Sequence, residues 1–267
     1  MSVNEKMTAI ADAIREKTGI KEALSLDGIA QAIPEVYNAG YENGEKTAPK
    51  KPYIDSSQMT SFQYFCYFGA NLELLENLDT RNGRSFNNMI HGCYNLTSIP
   101  ELDTSKGTNF NYMFYECGAL ESIPELDLGN GLSFYSMFEY CTSLKSIPKL
   151  NTSNGQYFSC MFIGCSNLTS ISAIDLSNSV DHGSIFAGCK SLCNITFTGT
   201  IGKSLNMKDS PLTKESITSV VNALSNTVTG QTLTLKLTAV NNAFGSTTSA
   251  EWTALAGTKT NWTISLV

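Results

Sequence analysis

Residues 108–131 read TNFNYMFYECGALESIPELDLGNG, and this 24-residue pattern returns both before and after them. Units begin at Thr60, Arg84, Thr108, Leu132, Gln156 and Val180. One apolar column holds Phe62, Phe86, Phe110, Phe134 and Phe158, and another holds Phe65, Met89, Met113, Met137, Met161 and Ile185. Leu72, Leu96, Leu120, Leu144, Leu168 and Leu192 form a third. Leu75, Ile99, Ile123, Ile147, Ile171 and Ile195 form the next, and Leu78, Leu102, Leu126, Leu150 and Ile174 the last. Glycines close the units at Gly83, Gly107, Gly131 and Gly155. A fixed period in the twenties is the signature of one supersecondary unit stacked on copies of itself.

Within the unit, Phe110, Met113, Phe114 and Cys117 follow i, i+3, i+4, i+7 spacing, which predicts a short helix of about two turns. Asn109 is placed to cap its start and Gly118 to end it. Leu120, Ile123 and Leu126 then mark an extended segment, and Asp127 and Gly131 supply turn chemistry. One helix and one strand per unit predict an α/β solenoid: a right-handed coil of 24-residue helix–strand units, with strands stacked in parallel about 4.8 Å apart. Proline cannot donate to a ladder, so Pro100, Pro124 and Pro148 in one column predict strands of only two or three residues.

The flanks differ. Val3, Met7, Ile10, Ala11 and Ile14 make a helical stripe, so 1–37 reads as an N-terminal helical segment, either a cap or an oligomerising element. Residues 38–56, NAGYENGEKTAPKKPYIDS, have linker composition. The repeat region runs from 57 to 201. Over 202–267 the period is lost. A helix is expected from Thr213, a strand over 232–238 (TLTLKLT), a helix over 249–256 and a strand over 261–266. This αβαβ series would cap the open end of the coil.

Composition removes several function classes. Apolar residues make up 42% of the 267 and charged residues 16%, the opposite of a disordered chain. The net charge is −6 and Lys50–Lys51 is the longest basic run, which argues against nucleic-acid partners. No stretch approaches 18 consecutive apolar residues, so no membrane span is expected. The opening MSVNEKMTAIADAIREK has no signal-peptide core, which points to a cytoplasmic or virion-associated protein rather than a Sec-secreted one.

The segments MFYECGALESI, MFEYCTSLKSI and MFIGCSNLTSI resemble the MF-x-x-C-x-x-L-x-x-I signature of BspA-like leucine-rich repeat proteins, found on bacterial surfaces and in phages. The first unit departs from it, with Phe65–Cys66 for Met-Phe and Gly69 for Cys, and the sixth carries His182 at the Phe position. The stretch IADAIREKTGIKEALSLDGIAQAIPEVYNAGYENG resembles N-terminal segments of phage tail-region proteins from Firmicutes. The resemblance implies a leucine-rich-repeat-like solenoid with a binding or adhesion role, on a cell surface or in a phage tail, and names no ligand.

The residues themselves offer no catalytic set, so an enzyme is not expected, nor a cofactor. His91 and His182 occupy different repeat positions and read as surface substitutions. Cys93, Cys117, Cys141, Cys165 and Cys189 share a column. Stacked equivalent thiols point one way, which suits buried structural cysteines better than a metal site or disulfides. Asp79, Asp103, Asp127 and Asp175, with Asn151, read as Asx turns rather than a calcium site. The surface signal is aromatic: Tyr64, Tyr67, Tyr112, Tyr115, Tyr135 and Tyr140 lie on the outward side of the expected helices, with Tyr94 nearby. They are the candidate ligand-binding residues for a protein or glycan on a cell surface. The bland account is packing between adjacent helices. The expected function is a noncatalytic binding or adhesion protein. The alternative is a structural assembly protein that forms homo-oligomers through residues 1–37.

Overall fold

The structure, a computed structural model, describes residues 56–66, 75 and 78–267. The helical segment expected over 1–37, nearly all of the linker, Tyr67 and Leu72 lie outside the described residues.

The helix–strand unit is not what forms. Between residues 78 and 213 there is no α-helix. The three short helices of the 78–267 region are α1 (Lys214–Ala223), α2 (Leu237–Phe244) and α3 (Ala250–Gly257). Two small parallel sheets accompany them. One has the order β1-β2-β3, from β1 (Ser146–Ile147), β2 (Ser170–Ile174) and β3 (Asn194–Phe197). The other has the order β4-β5-β6, from β4 (Leu205–Met207), β5 (Gln231–Leu235) and β6 (Trp262–Leu266). The expected class, a leucine-rich-repeat-like α/β solenoid with an αβαβ cap, is therefore overturned. The repeats are turn-built coils, and the C-terminal region carries an additional helix, α2.

The cause lies in two columns of the repeat. Tyr64, Asn88, Tyr112, Ser136, Cys160 and Ser184 all have φ between 52° and 64°. Four residues further on, Gly92, Glu116, Tyr140, Gly164 and Gly188 have φ between 56° and 75°. A left-handed residue every fourth position prevents an i→i−4 ladder. Two kinds of hydrogen bond replace it. Phe110, Tyr112, Phe114 and Glu116 donate their N–H groups to Ser133, Tyr135, Met137 and Glu139 of the next coil at 2.8–2.9 Å. Met113 and Cys117 instead close i→i−3 turns onto Phe110 and Phe114. The apolar spacing that reads as a helix face thus serves a segment that alternates between pairing forward and turning back.

Two stacks of phenylalanine run through the core. Phe62, Phe86, Phe110, Phe134 and Phe158 lie nearly parallel, with ring centroids 5.1–5.6 Å apart. Phe114, Phe138, Phe162 and Phe186 form the second stack at 5.3–5.8 Å. Glycine is required at the unit ends: a Cβ on Gly131 would lie 2.3 Å from Phe134 Cζ and 3.0 Å from the Leu128 carbonyl. The sheet obeys the prolines. β1 stops at Ile147, just before Pro148, whereas β2, whose unit has Ser172 in that column, reaches five residues.

The cysteine column is buried and all eight thiols are free. Each column Sγ donates to a carbonyl of the preceding coil, Cys117 to Ile90 at 2.8 Å and Cys141 to Phe114 at 3.0 Å, with Cys93, Cys165 and Cys189 repeating the geometry. Burial pushes the Cys141 and Cys165 thiols well up, which keeps the donors protonated.

The C-terminal region closes the stack's open end. The Gly188 N–H has no further coil to meet and donates to the Asp209 carboxylate at 2.9 Å. On the sheet edge, Ile195 and Phe197 of β3 donate to the hydroxyls of Ser216 and Ser219 on α1, at 2.9 and 3.1 Å. Lys259 Nζ donates to the carbonyls of Asn222 and Leu224 at the end of α1, where the helix dipole favours a cation.

Candidate functional site

Aromatic side chains gather on the outer side of the coils, with Tyr64, Tyr112 and Tyr140 at left-handed positions. Tyr112 and Tyr115 are half-buried and meet edge to face, with centroids 5.6 Å apart. Tyr112 reaches Tyr135 of the next coil at 5.2 Å, and Tyr115 reaches Tyr140 at 6.0 Å, both edge-on. On the other side Tyr115 lies 4.7 Å from the His91 ring. Tyr94 donates its hydroxyl to Glu116 at 2.9 Å. Tyr140 rests on the Gly164 backbone, so closely that a Cβ there would lie 2.7 Å from its ring. Of the expected residues, Tyr94, Tyr112, Tyr115, Tyr135 and Tyr140 thus join one network across three coils. Tyr64 sits in the Tyr112 column two units earlier and is 39% exposed. Tyr67 lies outside the described residues.

The network is graded from inside to outside. Tyr112 and Tyr115 form its inner layer. Their phenols are pushed up to about 12, by burial first and then by Tyr135 for Tyr112 and by the Glu116 carboxylate for Tyr115. Both are neutral donors at physiological pH. Tyr94 at 54% and Tyr140 at 44% are the outer layer. Packing and exposure, posed as alternatives from sequence, belong to different tyrosines of one cluster.

The backbone adds a further observation. Tyr112 shares its left-handed column with Tyr64, Asn88, Ser136, Cys160 and Ser184, and Glu116 and Tyr140 share theirs with Gly92, Gly164 and Gly188. A non-glycine residue there costs about 1–2 kcal/mol.

Two residues were missed from sequence. His91 was read as a surface substitution, yet it shares its column with Tyr115 and Glu139 and packs, tilted, against the Tyr115 ring. That shared column was the available signal. Partial burial holds its imidazole low, against the opposing pull of Glu116. His182 was also read as a surface residue and is buried at 4% exposure. Its Nε2 donates to the Ser204 carbonyl at 3.0 Å, so Nδ1 accepts from Ser179 Oγ at 2.9 Å. It replaces the stacking phenylalanine where no further coil follows.

The aspartate column makes Asx turns. Asp103, Asp127 and Asp175 accept from the N–H two residues on at 2.8–3.1 Å. Among the described residues no three of His, Cys, Asp and Glu converge as a metal site. None of the helices described is long and apolar enough to cross a membrane.

Two overlapping segments, 55–146 and 84–198, match the family described as Mycoplasma protein of unknown function, DUF285. Together they span residues 55–198, more than half of the chain and nearly the whole set of coils. The chain belongs to the DUF285 family. Both matched segments fall in the repeat region, and the aromatic network of this DUF285 chain lies wholly inside them. No curated protein and no solved structure matches the chain.

Proposed function

We propose that this protein is a noncatalytic binding or adhesion protein that presents its repeat surface to a protein or glycan on a cell, with Tyr94, Tyr112, Tyr115, Tyr135 and Tyr140 as the contact cluster. The observation that carries this is the continuous, edge-packed tyrosine network held partly at strained backbone positions. Tyrosine gives large contact area at low entropic cost, and mutual packing fixes these rings before any partner arrives. Glu116 and His91 add polar groups at the rim, the composition expected of a recognition patch. The resemblance of the units to BspA-like repeats supports a place on a bacterial surface or in a phage tail.

The left-handed positions supply a discriminating test. Tyr112→Asn and Tyr140→Asn put a residue suited to φ > 0 in place of tyrosine. The relieved strain offsets the lost ring contacts, worth about 0.5–1.5 kcal/mol each. Urea unfolding should therefore shift by less than about 1 kcal/mol, while binding of the full chain to intact bacterial cells and to a glycan and protein array falls at least tenfold. Large destabilisation with binding intact would make the cluster a packing device and overturn the reading.

A further inference from the structure

A second surface runs along the stack, on the side where one coil ends and the next begins. It is an open groove of about 580 Å³ lined by residues from five successive coils, from Arg84 at one end to Val180 at the other. It shares no residue with the tyrosine network.

Its chemistry is ordered by the repeat. Asn130, Asn154 and Asn178 each donate Nδ2 to a carbonyl of the preceding coil, those of Ser105, Gly129 and Ser153, at 2.6–2.7 Å. A carbonyl can only accept, so this contact fixes which end of each amide is which. The three Oδ1 atoms are therefore oriented acceptors, one per coil, with no hydrogen-bond partner among the described residues. Beside them stand exposed apolar side chains, Leu132 at 44% and, at the far end, Val180 at 50%. Among the described residues the only charges lining the groove are cationic, Arg84 and Lys106, both at one end, in a chain whose net charge is −6. No acidic side chain among the described residues lines it.

The step of the array selects the occupant. Coils advance by about 4.8 Å, the spacing of hydrogen-bonded parallel strands, as the unbroken run of parallel bridges from Ser61 to Asp181 requires. An extended peptide advances about 3.3 Å per residue, so neither one residue nor two match the step. An extended β-linked pyranose chain advances by nearly one coil per sugar. Its hydroxyls are donors that suit a row of fixed acceptors, and its C–H faces suit Leu132 and Val180. A carboxylate-bearing sugar suits the Arg84–Lys106 end. We infer that this groove binds a linear β-linked polysaccharide along the stack, with an acidic sugar favoured over Arg84 and Lys106.

The test uses the full chain and two soluble probes, chitohexaose and a hyaluronan hexasaccharide, titrated by calorimetry. Both are expected to bind, the anionic one more tightly and with greater sensitivity to salt. Leu132→Glu/Val180→Glu should weaken both at least about tenfold, and Arg84→Glu/Lys106→Glu should weaken the hyaluronan fragment selectively. These side chains are exposed, so melting temperatures should stay within a few degrees of wild type, which separates loss of binding from loss of fold. Ser122→Ala, exposed and outside both surfaces, should leave both affinities unchanged. Failure of either probe to bind at millimolar concentration, or binding that survives the groove variants, overturns it. So does binding lost only in the tyrosine variants.

Discussion

At the scale of single residues, the repeat uses each side chain for one local task. The cysteine is the plainest case. It is small enough for the core, and its S–H reaches the carbonyl three residues upstream in the previous coil, as Cys141 does to Phe114. Alanine there removes the donor and leaves a small void. Cys141→Ala should cost about 1–3 kcal/mol, measured by urea unfolding against the exposed control Ser122→Ala; equal values would mean the thiol bond contributes nothing. The burial of this column was legible in the sequence, because five cysteines 24 apart cannot all be surface accidents. Its hydrogen bond was not, because the acceptor is a carbonyl of another coil and belongs to no motif. The same limit hid His91, whose partner ring lies 24 residues away in the chain and 4.7 Å away in space.

At the scale of elements, sequence reading succeeded where a segment is self-contained. α1 was legible: Thr213 caps it, accepting from the Ser216 N–H, and Ile217, Val220 and Val221 face inward. α2 was not. Its N-cap, Lys236, makes no side-chain capping bond, and the alternating TLTLKLT ran past the true end of β5 at Leu235. The repeat's expected helix failed for a different reason, since the apolar spacing was right and the backbone was not. Asn88 with Gly92, Gly164 and Gly188 in the left-handed columns carried the signal, but Tyr112, Glu116 and Tyr140 in the equivalent positions concealed it. α1 also has a task no helix pattern announces. Its Ser216 and Ser219 hydroxyls take up the outward N–H groups of β3, which blunts an otherwise open sheet edge. Ser216→Ala/Ser219→Ala should cost about 1–3 kcal/mol per orphaned N–H and promote self-association, read by thermal unfolding and light scattering. An unchanged melt and a monodisperse sample would refute that role.

At the scale of the whole molecule, the stack is held by contacts between neighbouring coils, and its last coil is joined to the C-terminal region by a few polar groups. His182 is one of them. Burial lowers its pKa, with the Ser204 carbonyl opposing, so the neutral ring is the folded form. Protonation then favours the unfolded chain. The stability His182 contributes is complete above its ordinary value near 6.5 and is lost as pH falls through the lower folded-state value. Wild type should lose stability on acidification below about pH 6.5, and His182→Gln should flatten that slope in urea titrations between pH 7 and 5. An unaltered slope would assign the acid response to other groups.

The sequence by itself determined the register. The 24-residue period, the phenylalanine, cysteine and glycine columns and the tyrosine-bearing side all follow from residue identities at fixed intervals. Side-chain burial is dictated by which residues recur, and recurrence is visible in one dimension. Only the tertiary structure decided the backbone between those columns. Whether an N–H closes a turn within its own coil or reaches the carbonyl of the next depends on a partner 23 residues away. The energy of that pairing, spread over every coil, outweighs the local preference for helix. The groove of oriented asparagines was settled the same way, since an amide's direction is fixed by the neighbouring coil it binds.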